Sequence, residues 1–226
     1  MTFRDYSETP VQTKTARLER GLHRSAIYRH GVKRGLDIAL VLLTLPVTLP
    51  ILLAMMCLVA FDGHTPLYRQ KRLGRGGRVF RMVKIRTMVP GADALLEDHL
   101  RNHPEARREW DEAQKLKCDP RITRVGRSLR KSSLDELPQL WNVLTGDMSL
   151  VGPRPMMVDQ QALYPGKAYY ELRPGITGPW QVSERNDTSF ADRAVFDSRY
   201  LASLSLSQDV SILLRTVNVV LRGTGY

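Results

Sequence analysis

The sequence predicts a membrane-anchored α/β protein, mostly helical with one small β-hairpin. Its membrane helix is expected to be re-entrant, so that the chain is monotopic, with further amphipathic helices at the interface and a cytosolic domain behind them. Three observations predict this. Residues 38–61 (IALVLLTLPVTLPILLAMMCLVAF) carry no charge and hold two prolines near their middle. Strongly basic segments flank that run on both sides. Beyond it, a Gly-centred turn separates two extended stretches, and apolar residues then recur at helical spacing.

Charge locates the anchor. The 226 residues carry a net charge of +11. Residues 1–35 hold eight Lys/Arg and three acids, and residues 36–68 hold two Asp and no Lys or Arg. Residues 69–88 hold eight Lys/Arg and no acid, whereas residues 89–226 hold eighteen of each sign. The main body is therefore neutral, and the excess sits in two blocks beside the apolar run. Nucleic-acid binders spread basic charge over a domain face; blocks beside an apolar run suit anionic headgroups. Cys57 and Cys118 are far apart, which excludes a disulfide framework and a Cys-based zinc site and fits a reducing compartment. The five His show no metal-ligand spacing, so a metal would need oxygen ligands, as Mg²⁺ or Mn²⁺ does.

As one helix the 24-residue run would reach about 36 Å, enough to cross a hydrocarbon core of about 30 Å. It starts too late, and is too long, for a secretory signal. A break near Pro46 and Pro50 would leave two short legs, each spanning half a bilayer. Lys33 and Arg34 precede the run, and Arg69, Lys71 and Arg72 follow it. Positive charge marks the cytoplasmic side, so this symmetry places both ends there. An ordinary span that tolerates its prolines is the alternative.

The other elements follow in order. Residues 1–32 read as a polar, basic tail. LYRQKRLGRGGRVFRMVKIRTM reads as two strands around a turn at Gly74 to Gly77. Lys84 and Arg86 lie two apart, share a strand face, and either clamp a phosphate or face solvent or headgroups. Residues 92–103 and 104–117 read as helices, with Ala106, Trp110, Ala113 and Leu116 as a packing stripe. A basic stretch, 121–131, leads into SSLDELPQLWN. There Ser133 and Glu136 fit a capping box, which explains neither Asp135 nor Pro138. In SLVGPRPM, Arg154 lies between two prolines that restrict the backbone and can aim its guanidinium. Residues 174–187 have the Gly and Pro density of a loop. Residues 207–222 place Val210, Leu213, Leu214, Val217, Val220 and Leu221 on one helical face, as a core helix or one lying on a membrane surface.

SLDELPQLWNVLTGDMSLVGPRP, residues 133–155, resembles the signature of bacterial monotopic phosphoglycosyl transferases, the bacterial sugar transferases. The resemblance includes KRGLDIAL, YRQKRLGRGGRVFRMVKIRTM, DPRITRVGRSLRKSSLDELPQL, RPGITGPWQVSERND and RGTGY, and covers about residues 33–226. It implies a re-entrant membrane helix at 33–62, broken at Pro50, and a catalytic domain at 63–226 on the cytoplasmic face of the bacterial inner membrane. It implies transfer of a hexose 1-phosphate from a UDP-hexose, with galactose or glucose as the sugar, to undecaprenyl phosphate, with release of UMP. This is the first membrane step of exopolysaccharide synthesis. Asp135 would be the nucleophile, forming a phosphosugar-enzyme intermediate, and Glu136 would serve Mg²⁺ (or Mn²⁺) and proton handling, the two acids together holding the metal. Lys84, Arg86, Arg130, Arg154, Arg185, Asp197 and Tyr200 are the candidates for substrate contact. Membrane lipids are expected partners, nucleic acid is not, and a homodimer is compatible with the resemblance.

The chain departs from the family pattern in places. Leu49-Pro50 stands where Ser-Pro is usual, with Thr48 as the nearest hydroxyl. KIRTM replaces KFRTM, and FDGHTPLY a link richer in Gly and Pro. Glu184 replaces a common Gly and Pro179 a common Leu, in the segment expected to meet nucleotide or sugar. The chemistry is physically coherent: a carboxylate approaching a diphosphate is repelled, and a divalent cation with arginines offsets the repulsion. Two other readings exist. A membrane-tethered basic adaptor would have no use for Asp135. A Mg²⁺-dependent direct transfer would use both acids as metal ligands without a covalent intermediate.

Overall fold

The computed structural model describes residues 27–61, 63–113, 116–183 and 190–221. The rest of the expected tail and the C-terminal RGTGY motif lie outside these residues. Residues 28–32, expected in the tail, form a π-helical turn continuous with the first α-helix, α1, Lys33–Ala60. Tyr28 is buried there against Val151, Leu172, Tyr200 and Ile212. The tail therefore ends earlier than the charge pattern implied, because an aromatic ring finds a core to fill.

The expected break in α1 is not a break in secondary structure. The helix is continuous over 28 residues with Pro46 and Pro50 inside it. Each proline lacks the N–H that would bond the carbonyl four residues back. Thr44 Oγ1 donates to the Leu40 carbonyl at 2.9 Å, and Thr48 Oγ1 to the Thr44 carbonyl at 3.1 Å. Such back-bonding bends helices. Both ends of α1 pack on the same body. At the first, Asp37 accepts from Ser149 Oγ at 2.7 Å and from the Leu150 N–H at 3.1 Å. Arg34 donates to the carbonyls of Val143 and Leu144, and Val41 packs with Phe80, Met82, Val143 and Met148. At the second, Val59 packs with Ile85 and Leu129. Between them, Leu42, Leu43, Val47, Leu49, Ile51 and Leu53 are exposed.

β1 (Leu67–Leu73) and β2 (Val79–Ile85) form the expected antiparallel hairpin, with Tyr68 opposite Lys84 and Lys71 opposite Arg81. The turn needs positive φ at Gly76 and Gly77 (68° and 77°), which glycine adopts without steric cost. α2 (Ala92–Asn102) and α3 (Pro104–Ala113) follow. Ala106, Trp110 and Leu116 pack with Leu96 and Leu100, so that stripe is a packing face.

α4 (Arg124–Lys131) begins at Thr123, whose Oγ1 accepts from the Gly126 N–H at 2.9 Å. A Cβ at Gly126 would sit 2.1 Å from the Thr87 carbonyl oxygen, so only glycine lets α4 press against the chain leaving β2. α5 (Gln139–Thr145) is fixed to β2 through Asn142. The Asn142 amide donates to the Arg81 carbonyl at 2.9 Å and accepts from the Val83 N–H at 3.0 Å, completing the backbone pairing as a further strand would. β3 (Ser149–Val151) and β4 (Gly175–Thr177) form a short parallel pair, separated by α6 (Ala168–Glu171). α7 (Arg193–Ala202) and α8 (Leu206–Leu221) close the chain.

Of the apolar stripe read along α8, Leu213 packs on the core and most of the rest does not. Asp209 and Ile212 are buried, Thr216 is half-buried and bonds Thr177 Oγ1 at 2.7 Å, while Val210, Leu214, Val217 and Val220 are exposed. Polar contacts set this rotation. Asp209 accepts from Lys33 Nζ (2.5 Å), Tyr28 OH (2.7 Å) and Tyr200 OH (2.5 Å), all buried. Removing one partner of a buried ion pair strands the other charge. Lys33→Met should therefore cost about 3–5 kcal/mol of stability, read as a lower unfolding midpoint of the detergent-purified protein. Adding Asp209→Asn to that variant should recover part of the loss.

Candidate active site

Asp135 and Glu136 sit on a 3₁₀ turn, Leu134–Glu136, between two helices. The capping-box expectation is corrected here. Ser133 makes no side-chain cap and takes φ 57°, ψ 18°, the left-handed conformation. It is the one described residue other than glycine with positive φ. That conformation stops α4, as left-handed residues do just past a helix end. The Ser133 carbonyl then accepts from the Glu136 N–H at 3.2 Å, and α5 starts after Pro138, whose missing N–H costs nothing at a first turn. Three residues per 3₁₀ turn splay adjacent side chains about 120° apart. Asp135 is accordingly buried at 5% exposure and Glu136 half-buried.

Lys84 reaches both acids. Its Nζ lies 2.7 Å from Glu136 Oε1 and 3.9 Å from Asp135 Oδ2. Burial pushes the Asp135 carboxyl up to about 6; Lys84 and Arg130 pull it down, and Glu136 pushes it up. Arg130 is half-buried, with its Nε donating to Thr87 Oγ1 at 2.9 Å. The close seat of Gly126 on Thr87 thus sets where Arg130 stands relative to Asp135.

A small cleft opens beside Glu136, lined also by Lys84, Arg72, Arg154 and Gln139. Arg154 is held as its flanking prolines suggest. Pro153 is fully buried, and its carbonyl accepts from the Gly175 N–H at 2.8 Å. The Arg154 guanidinium carbon is 5.8 Å from the Trp180 ring centre. Arg193 faces the same ring at 4.3 Å. Burial and the neighbouring Arg154 lower Arg72 to about 10 and Arg193 to about 9. Arg72, Arg154 and Arg193 thus concentrate positive charge around Arg154, a field that favours an anion. Buried Nε atoms of Arg72 and Arg193, and the amide nitrogen of Gln139, have no hydrogen-bond partner among the described residues.

Other expected site residues stand elsewhere. Arg86 does not share the cleft with Lys84, because β2 ends at Ile85. Its guanidinium donates instead to the carbonyls of Thr65 (2.9 Å), Met88 (3.4 Å) and Val59 (3.3 Å), closing the C-terminal end of α1. Tyr200 is 1% exposed and donates to Asp209, so it belongs to the core and not to a substrate surface. Asp197 is buried, accepts from Tyr164 OH at 2.8 Å, and lies close enough to Arg193 to be held down by its charge. It backs the arginine cluster from behind. Arg185 lies outside the described residues. Arg72, Arg193 and Gln139 were not expected. Arg72 was findable, since the hairpin register puts it on the same face as Lys84; Arg193 comes from a distant helix and carried no local signal.

The described residues contain no group of three or more His, Cys, Asp or Glu placed to hold a metal ion. Two adjacent carboxylates suit Mg²⁺, which takes one or two protein carboxylates and fills its remaining positions with water and substrate phosphate oxygens.

The profile of the family described as bacterial sugar transferase matches residues 28–223. The chain belongs to the bacterial sugar transferase family. Over 196 residues it is 48% identical to the UDP-galactose-lipid carrier transferase of Erwinia amylovora, covering 86% of this chain and 41% of that relative. It is 46% identical to the undecaprenyl-phosphate galactose phosphotransferase of Salmonella typhimurium, covering 86% of this chain and 41% of the relative. It is 44% identical to the exopolysaccharide production protein ExoY of Rhizobium meliloti, covering 85% of this chain and 87% of the relative. The chain thus spans about two-fifths of the first two and most of the third.

Asp197 offers a test of the layer behind the arginines of this family member. Burial raises its carboxyl to about 6 from an ordinary 3.8, so the folded protein binds this proton more tightly than the unfolded chain. Its ionisation therefore costs nothing below about pH 4 and its full amount above about pH 6. Relative to wild type, Asp197→Asn should gain stability as pH rises from 4 to 7, by up to about 3 kcal/mol. Thermal unfolding in detergent across that range reads the difference.

Proposed function

We propose that this chain transfers a hexose 1-phosphate, of galactose or glucose, from a UDP-hexose to undecaprenyl phosphate and releases UMP. The observation that carries this is the buried Asp135 carboxyl, set beside a Lys84–Glu136 pair and bordered by Arg130 on one side and the cleft of Arg72 and Arg154 on the other. The names of two relatives, UDP-galactose-lipid carrier transferase and undecaprenyl-phosphate galactose phosphotransferase, support the same reading.

In this reading an Asp135 carboxylate oxygen attacks the phosphorus that bears the sugar. The bond from that phosphorus to the bridging oxygen breaks, and UMP leaves with the electron pair. A phosphate oxygen of undecaprenyl phosphate then attacks the same phosphorus and frees the Asp135 carboxylate. Burial keeps that carboxylate poorly solvated and reactive. The cluster of Arg72, Arg154 and Arg193 binds and orients the diphosphate, and Lys84 holds Glu136 in place. Asp135 and Glu136 would hold Mg²⁺ or Mn²⁺, whose charge offsets repulsion between carboxylate and diphosphate.

The membrane arrangement follows the same reading. α1 dips into one leaflet and returns, with Pro46 and Pro50 at the bend. Support comes from its two ends, which pack on one domain, and from its exposed middle. α8 lies on the interface with Val210, Leu214, Val217 and Val220 toward lipid. The site then faces the cytoplasm at the inner membrane of a bacterium, where UDP-sugar and lipid phosphate meet.

Asp135→Asn should lower UMP release from UDP-galactose or UDP-glucose, with Mg²⁺ and undecaprenyl phosphate present, by about 10³-fold or more. Wild type given donor without acceptor should gain the mass of a hexose phosphate, on a peptide containing Asp135. Activity without any such adduct would favour direct transfer. No UMP from either donor would favour the adaptor.

A further inference from the structure

The hairpin has a second basic face that the transfer chemistry does not use. Arg72 and Lys84 project into the cleft beside Glu136. Arg69, Lys71 and Arg81 have the opposite parity and are exposed. Lys71 and Arg81 are direct cross-strand partners, a like-charge pairing that is unfavourable unless an anion lies nearby. Arg69, Lys71 and Arg81 have no ion-pair partner among the described residues, whereas neighbouring Arg78 is bound to Asp147 at 2.7 Å.

Arg69 and Arg81 border a groove of about 570 Å³. Leu52 and Met56 of α1, Leu67, Val79 and Val83 of the hairpin, and Trp141 of α5 make an apolar wall, and the Arg78–Asp147 pair, Asn142 and Thr145 line the rest. Trp141 is 64% exposed, whereas Trp180 is 6% exposed. Leu49, one turn before Leu52 on the same helix face, is exposed, so the groove adjoins the exposed apolar surface of α1. An apolar slot along a membrane helix, with cations at its mouth and an exposed indole at its edge, has the chemistry of a phospholipid seat.

We propose that this groove binds one anionic glycerophospholipid of the bilayer, with an acyl chain against Leu52, Met56 and Trp141 and its phosphate on Arg69 and Arg81. The seat is distinct from the acceptor site, because a phosphate on Arg69 and Arg81 lies across the hairpin from Lys84 and the carboxylates. It fixes the depth at which the domain rides against the membrane. The inference rests on the placement of α1 in a bilayer and not on the transfer reaction.

Trp141 supplies the probe. The full chain is placed in nanodiscs containing phospholipid with brominated acyl chains, which quench indoles on contact. Phosphatidylglycerol and phosphatidylcholine are brominated in turn at equal mole fraction. Subtracting the signal of Trp141→Phe isolates the Trp141 contribution. Brominated phosphatidylglycerol should quench it about twofold or more beyond phosphatidylcholine, a preference that high salt reduces. R69K/R81K should keep the preference and R69Q/R81Q should lose it. Equal quenching by both lipids, or none by either, overturns the proposal. So does displacement of phosphatidylglycerol by a low mole fraction of undecaprenyl phosphate, which would give the groove to the acceptor. The readout is fluorescence, so failure here is distinguishable from failure to release UMP.

Discussion

Both ends of one apolar helix are fastened to the same small domain, and most of the structure depends on that fastening. Asp37 reaches out of α1 to Ser149 and Leu150, and Lys33 reaches to Asp209 on α8. At the far end, Val59 enters the cluster of Ile85 and Leu129, and Arg86 closes the helix carbonyls. Short elements such as β3, β4 and α6 bury little surface alone. β3 and β4 find their core partly on α1, through Leu36 and Val41, and α1 also turns a long exposed apolar stretch outward. Buried ion pairs are weak sources of stability but strong sources of register. Here the Lys33–Asp209 pair sets the rotation of α8, and the hydrogen bonds of Asp37 bring the start of α1 against β3.

The acid pair depends on a second constraint, the way α4 stops. A left-handed Ser133 and a proline-started α5 leave room for only one 3₁₀ turn between two helices. Asn142 locks α5 to β2, and Gly126 lets α4 lie against the end of β2. Lys84 from the strand and Arg130 from the helix therefore meet the two carboxylates from different directions. The strained φ of Ser133 is held by the packing on either side, as strained residues near functional sites usually are.

Period-two geometry then divides one run of cations between two faces. In residues 69–88 the eight basic residues read as a single block. In the folded hairpin, even-numbered Arg72 and Lys84 face the cleft, and odd-numbered Arg69, Lys71 and Arg81 face outward. The same two strands thus present cations to the cleft on one face and to the groove on the other.

The sequence by itself determined the elements and the acid pair. An uncharged run between basic blocks marks α1, the Gly-rich turn marks the hairpin, and the helices at 92–102 and 104–113 follow their apolar spacing. These are local signals, written within a few residues of where they act. Asp135, Glu136, Lys84, Arg130 and Arg154 were legible because long motifs of the bacterial sugar transferases carry them. Tertiary structure decided what local pattern could not. It placed Arg86 on the end of α1, because a strand stops one residue before it. It put Tyr200 in the core and turned most of the apolar stripe of α8 outward, because one buried carboxylate, Asp209, draws Tyr28 and Lys33 from the start of the first helical segment and Tyr200 from α7. It brought Arg193 to Trp180 and Arg154 across long loops. Which face a side chain occupies depends on partners far along the chain, and those partners exist only once the chain has folded.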